Sequence, residues 1–321
     1  MRVEKFLPTQ KETWDNFVKN SFNGNFQHSR NFLDYHGSKF EDLSMVVFSE
    51  SNEIIGLLPA AISPSNSQDL ISHPGAAFGG LILKNQIGIE KTLEIFKEII
   101  DFCSQQKIRS LEYKISPPLF FDSFWRGDFI SLLLLGAEIS TLKVTHVLEF
   151  RNNKLDNSHR TADSDFKKAN RLEPTIFQTK QPSDYKLFYD ILNRQLSKHK
   201  VKSIHNLLDI ADLENRFPRN IHLWKSSLND GSVAFAWVWE MNNTAHLQYM
   251  TNLEVTNRPI TLNYLIMSLL QYYLEKKFIY FSFGNSYDIT HDHSINLGLA
   301  LWKEKFGAIP TDLIQLKIQV N

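Results

Sequence analysis

The feature of this 321-residue sequence that most restricts its fold is one order of patterns that occurs twice. In the first half a short amphipathic segment (Trp14, Phe17, Val18) precedes "SMVVFS", a turn at "ESNE" and "IIGLLPAAI", which read as a β-hairpin. After the loop "SPSNSQDLISHPGAA" the strand "FGGLIL" leads to a helix with apolar groups at Ile89, Leu93, Phe96, Ile100 and Cys103, and "IRSLEYKI" follows as a strand. The second half runs through the helix "DYKLFYDILNRQLSKH", a hairpin turning at "NDGS" and the strand "AHLQYMTNL". A helix with Leu262, Leu265, Ile266, Leu269, Leu270 and Tyr273 on one face then precedes the buried strand "FIYFSFG". Helix, antiparallel hairpin, strand, helix, strand, stated twice, predicts a duplicated α/β unit. Between the copies, 146–177 begins and ends as strand but is polar in its middle, which puts a boundary near 155 and predicts domains 1–155 and 156–321.

Bulk properties exclude several classes of function. Lys plus Arg and Asp plus Glu both number 35, so no net field draws the chain to nucleic acid or an anionic membrane. One cysteine, Cys103, excludes an intrachain disulfide and a cysteine-built zinc site, which fits a reducing cytoplasm. The start lacks the apolar core of a signal peptide, and the longest greasy run, "FISLLLLGAEI" (129–139), is about half of a ~20-residue span. The expectation is a cytoplasmic protein without a membrane span.

Five motifs add a resemblance: "SFNGNFQHSRNFLDYHGSKFED", "YKISP" (113–117), "SKHKVKSIHNLLDI", "FSFGNS" and "LWKEKFGA". In this order they resemble the tandem-GNAT, FemABX-like acyltransferases. "FSFGNS" is similar to that family's Phe-Asp-Phe-Gly-Arg-Ser strand end, with Ser282 and Asn285 in place of the Asp and Arg. "LWKEKFGA" is similar to its Phe-Lys-x-x-Phe-Gly helix. The resemblance implies an α/β (α+β) fold of two GNAT-like domains, each a mixed, mainly antiparallel sheet flanked by helices, with an active cleft between them. Members that use charged tRNA commonly carry a long charged helical hairpin in the second domain. No sustained heptads for one occur here, so the chain resembles the acyl-CoA-dependent sugar N-acyltransferases more.

Transfer of an acyl group from a thioester to an amine needs a neutral amine in near-attack geometry, donors for the oxyanion and a proton for the leaving thiolate. Cys103 lies on a buried stripe and reads as inert, so the amine is expected to attack directly. His205 is the general-base candidate because an imidazole titrates near neutrality, and the Tyr249 hydroxyl and Asn285 complete the catalytic set. Asn257 and Arg258, just before the helix at Pro259, are candidates for the coenzyme A pyrophosphate, although neither half has a glycine-rich phosphate loop. Lys303 of the lysine-containing helix motif is the third cofactor contact. For the acceptor, His28 and Arg30 form a basic loop suited to a diphosphate, and His73 lies on a glycine-flanked loop. Tyr113 and Lys114 (one per strand face), His199 and Ser286 complete the substrate set. His291 and His293 read as a solvated loop, with no metal expected.

These readings predict an N-acyltransferase that moves an acyl group from acyl-CoA to the amine of a nucleotide-diphosphate amino sugar, for surface-polysaccharide biosynthesis. The first domain would hold the nucleotide, and the second the donor and the chemistry. Two alternatives stand beside it: an aminoacyl-tRNA-dependent, FemX-like peptidoglycan-bridge transferase, and a non-catalytic sugar-nucleotide-binding module.

Overall fold

The computed structural model describes residues 1–121, 124–150, 160–198, 200–255, 259–287 and 295–320. They form two compact units, Met1–Leu142 with Asp312–Asn321, and Lys143–Thr311. The contact boundary thus lies some residues before the composition shift near 155, and the last ten residues return to the first unit.

The first unit contains β1 (Arg2–Lys5), α1 (Lys11–Lys19), α2 (Arg30–Leu33), β2 (Met45–Phe48), β3 (Ile54–Leu58), β4 (Ala60–Ser63), β5 (Asn66–Ser72), β6 (Ile82–Leu83), α3 (Ile89–Gln105), β7 (Ser110–Lys114) and α4 (Gly127–Leu134). β2 and β3 pair antiparallel as the expected hairpin, with Val47 opposite Gly56. "IIGLLPAAI" is not one strand, however: Pro59, which has no N–H to give a ladder, separates β3 from β4, and the two run in different sheets. β4 turns into β5, part of the stretch read as loop from its Asn, Ser, Gln and Asp, and β5 is the strand that lies parallel to β7 (Asp69 opposite Ser110, Leu70 opposite Leu111). "FGGLIL" contributes only the short β6 beside β3.

On α3 the buried face is Thr92, Ile95, Phe96, Ile99, Phe102 and Cys103; Phe96 and Cys103 lie on it as expected, Leu93 and Ile100 are half-buried, and Ile89 is 43% exposed. Ile95, Phe96, Ile99, Phe102 and Cys103 join Leu70, Leu111 and Tyr113 in one apolar core. Burial pushes the Cys103 thiol up to about 12, so it carries no thiolate at neutral pH.

The second unit follows from β8 (Glu138–Glu149), in which the boundary falls. It holds α5 (Arg160–Asn170), β9 (Thr175–Thr179), α6 (Pro182–Ser197), α7 (Leu207–Arg216), β10 (Ile221–Ser227), β11 (Val233–Met241), β12 (Thr244–Leu253), α8 (Ile260–Glu275), β13 (Tyr280–Asn285) and α9 (Leu297–Glu304). Its sheet order is β8-β13-β12-β11-β10-β9. All of these pairs are antiparallel except β12 with β13. Asn242, at positive φ, makes the tight turn between β11 and β12. α8 buries Leu262, Leu265, Ile266, Leu269, Leu270 and Tyr273, the stripe read from the sequence, against Ala234, Ala236, Val238, Ala245, Leu247, Phe281 and Phe283 on one sheet face. The last strand, β14 (Ile309–Gln319), pairs Gln315–Gln319 antiparallel with β7 in the first unit. Both units are therefore mixed sheets flanked by helices, the expected fold class.

Candidate functional site

β12 and β13 are bonded in parallel over only three positions, Thr244 to Tyr280, Ala245 to Phe281 and His246 to Ser282. Beyond them the ladder stops, for a reason visible in each strand. β12 carries an extra residue, Gln248, between Leu247 (opposite Val238) and Tyr249 (opposite Trp237). β13 shifts register against β8 between Ser282 and Asn285, and Gly284 there has φ +68. The two irregularities fall at one level, where the β12–β13 ladder ends.

Alternation puts Leu247, Phe281 and Phe283 on the α8 face, and Trp237, Trp239, Tyr249, His246 and Ser282 on the other. This second face is polar and aromatic where the ladder ends. The His246 imidazole lies 3.0 Å from Ser282 Oγ through Nδ1 and 3.2 Å from Gln248 Oε1 through Nε2. Since Gln248 Oε1 only accepts, Nε2 carries the hydrogen and Ser282 donates to Nδ1. Burial holds this ring's pKa down to about 4, so it is neutral. Further along, His205, on the connection between α6 and α7, meets Tyr249: Nδ1 is 3.0 Å from the hydroxyl. Trp237 and Trp239 enclose the same imidazole at ring distances of 5.4 and 5.8 Å. Burial raises the Tyr249 hydroxyl above its ordinary value, so it stays a proton donor.

Lys303 enters from α9. Its side chain is 1% exposed, and Nζ donates to Gly284 O at 3.0 Å and Asn285 O at 2.5 Å, the strand end itself. Burial pushes this amine down to about 7. Lys303, expected as a cofactor contact, is thus buried against the strand end rather than reaching solvent. Asn285 is exposed there, while Ser286 is fully buried and bonds His146 Nδ1 at 2.9 Å. The far ring nitrogen of His146 lies 3.4 Å from Glu304 Oε1.

The acceptor candidates of the first unit are occupied by the protein itself. Arg30 bonds Asp34 at 3.0 Å and Asp42 at 2.8 Å and lies over Phe6 at 4.2 Å. It lines a small hollow with His36, Phe40, Asp42 and Ser44, but its charge is already compensated. His28 accepts from Asn25 N–H, and His73 reaches the Gln27 carbonyl. Both rings are buried, and burial keeps them neutral. Tyr113 is fully buried, accepting from Leu81 N–H and donating to Asp128. Lys114 Nζ donates to Ala76 O at 2.8 Å. None of these side chains is offered to a diphosphate in this arrangement. Asn257, Arg258, His199, His291 and His293 lie outside the described residues.

The structure brings together His205 with Tyr249, and Lys303 with the Asn285–Ser286 strand end. His146, His246 and Glu304 were not singled out from the sequence. The available signal was position: His146 in "VTHVLEF" and His246 in "AHLQYM" interrupt apolar strands, where an imidazole needs partners. Among the described residues no cluster of three or more His, Cys, Asp or Glu is arranged to hold a metal ion, and no helix is long and apolar enough to cross a membrane.

No protein-family model and no curated protein matches this sequence. Solved structures match in fold. FemX aligns over 100% of this chain and 98% of its own at 11% identity and a TM-score of 0.72. L-PGS from Bacillus licheniformis aligns over 99% and 93% at 14% identity and a TM-score of 0.61. A tandem GNAT protein from the clavulanic acid biosynthesis pathway aligns over 100% and 98% at 13% identity and a TM-score of 0.52. The fold is thus the tandem-GNAT, FemX-like one that the motifs resemble.

Proposed function

We propose that the second unit is an acyl-transfer centre of FemX-like type, moving an aminoacyl group from an ester-activated carrier such as aminoacyl-tRNA to an amine acceptor. The observation that carries this reading is Lys303, a buried amine at the strand end where β12 and β13 part. An ammonium has three donors. Two are bonded to Gly284 O and Asn285 O, and the third suits an oxygen that becomes an oxyanion as the acceptor nitrogen attacks. In that step the C–N bond forms, the carrier's C–O bond breaks, and the leaving oxygen gains a proton as the acceptor nitrogen loses one. Tyr249, hydrogen-bonded to His205, is the neighbouring group suited to proton transfer.

Two considerations favour the aminoacyl donor over acyl-CoA. The likeness to FemX has a TM-score of 0.72, against 0.52 for the tandem GNAT protein. The sequence also lacks a glycine-rich phosphate loop in either half. The comparisons do not support a nucleotide-linked amino sugar as acceptor, and Arg30 and His28, the groups expected to grip its diphosphate, are engaged within the protein.

Incubation with aminoacyl-tRNAs and with acyl-CoAs, each with a panel of amine acceptors, tests the donor. Transfer that depends on acceptor and disappears after ribonuclease treatment is expected. Acceptor-dependent thiol release from acyl-CoA, with every aminoacyl-tRNA silent, would overturn the donor assignment.

A further inference from the structure

α9 is attached to the sheet by two consecutive side chains that reach different strands. Lys303 bonds the carbonyls of Gly284 and Asn285 at the end of β13, and Glu304 reaches His146 on β8. His146 is 1% exposed, and its second nitrogen is fixed by Ser286, which is itself held by backbone bonds: its N–H donates to Val144 O, and its carbonyl accepts from Asn296 N–H at the start of α9. With Glu304 accepting from Nε2–H, Nδ1 is the acceptor for the Ser286 hydroxyl. A neutral imidazole thus spans from a buried serine to a carboxylate that is 43% exposed. Ser286 is fully buried, which excludes it as a nucleophile toward a large donor and leaves the chain a holding function.

We propose that the Ser286–His146–Glu304 chain is a positioning device for Lys303, pinning the last turn of α9 so that the ε-amine stays at the strand end where β12 and β13 part. The inference rests on the reading of the second unit as a transfer centre for its purpose, but not for its geometry. Without the pin, the four-carbon stem of Lys303 is free to carry the amine to water. The titratable groups coupled to the amine are His146 from β8 and His246 from β12, and Glu304, next to it on α9, reaches His146. Burial first, and Lys303 after it, lower both imidazoles, so both are neutral.

The test reads Lys303 directly. In protein labelled with ¹³C at lysine Cε, the Lys303 signal, assigned by its absence in Lys303→Met, is titrated in wild type, His146→Ala, His146→Gln and Glu304→Ala. Wild-type Lys303 is expected to titrate near 7. His146→Ala and Glu304→Ala should raise that midpoint by about one unit or more toward the ordinary lysine value, because the amine regains water. His146→Gln, which keeps a donor for Glu304, should stay near wild type. Glu304 is partly exposed, so its variant keeps the test open if His146→Ala fails to fold. Unchanged midpoints in both alanine variants would overturn the proposal. A shifted midpoint in a protein that transfers nothing from any donor would leave the pin standing and sink only the function.

Discussion

His73 and His28 lie in the first unit with ring centroids 5.9 Å apart, both almost wholly excluded from water. Burial lowers His73 to about 3 and His28 to about 4, and the nearby Lys114 and His36 push His73 further in the same direction. The sign of the effect on stability follows from which state binds protons. The unfolded chain takes a proton on each ring near 6.5, while the folded chain refuses it until about 3 or 4. The stability is whole above 6.5 and falls as the pH drops from there toward the folded values, by up to about 1.4 kcal/mol per pH unit for each ring. Asp128 acts in the opposite direction, since burial raises its carboxyl to about 6. A single-site comparison separates the two. His73 has φ +50, a conformation that asparagine tolerates better than most residues. In urea unfolding between pH 7 and pH 4, His73→Asn should reduce the dependence of stability on pH by about 1 kcal/mol per unit. Slopes identical to wild type would mean that His73 is not held neutral.

At the scale of elements, the bulge in β13 determines where the Lys303 carbonyls point. Gly284 has φ +68, and a Cβ built on it meets its nearest neighbour, Leu247 O, at 3.5 Å, so a side chain there fits in space and is strained only by the backbone. Gly284→Ala should therefore cost about 1 kcal/mol of stability in urea unfolding, and relief of the strain would move the carbonyl that Lys303 bonds. A variant as stable as wild type would show that the left-handed conformation is not required. The elements differ in how well the sequence announced them. α8 was legible because one continuous stripe faces one continuous sheet. β5 was not, because its first four residues are Asn, Ser, Gln and Asp, and only pairing with β4, and of Asp69–Ile71 with β7, makes the stretch a strand. α3 was placed correctly, with Phe96 and Cys103 on its buried face, but Ile95, Ile99 and Phe102 were missed, since apolar residues at adjacent positions leave the phase open.

For the whole molecule, the informative comparison is between the two copies of one arrangement, a parallel strand pair joined through a helix. In the first unit the pair β5 and β7 also separates, but the chain fills the gap itself. Gly79 N–H donates to Lys114 O, Ser116 Oγ bonds Gly79 O, and Tyr113 reaches the Leu81 N–H. In the second unit, beyond His246 and Ser282, Lys303 bonds Gly284 O and Asn285 O. Duplication of the unit was readable from the order of patterns, and so were Lys303, His205 and Tyr249 as candidates. The pairing of His146 with Ser286 and Glu304 was not, because the partners stand 140 and 158 positions away in the chain. Nor did composition disclose that Arg30, which reads as a free basic group, is compensated by Asp34 and Asp42.

The rate of aminoacyl transfer by Lys303→Met beside wild type, followed from pH 6 to pH 9 with the same donor and acceptor, tests the centre most directly. Loss of one oxyanion donor should lower the rate about 100- to 1,000-fold, and the wild-type rate should decline as pH rises through about 7, where burial has brought the lysine's titration. A Lys303→Met protein that transfers at the wild-type rate, with the same pH profile, would contradict the assignment of the reaction to this strand end.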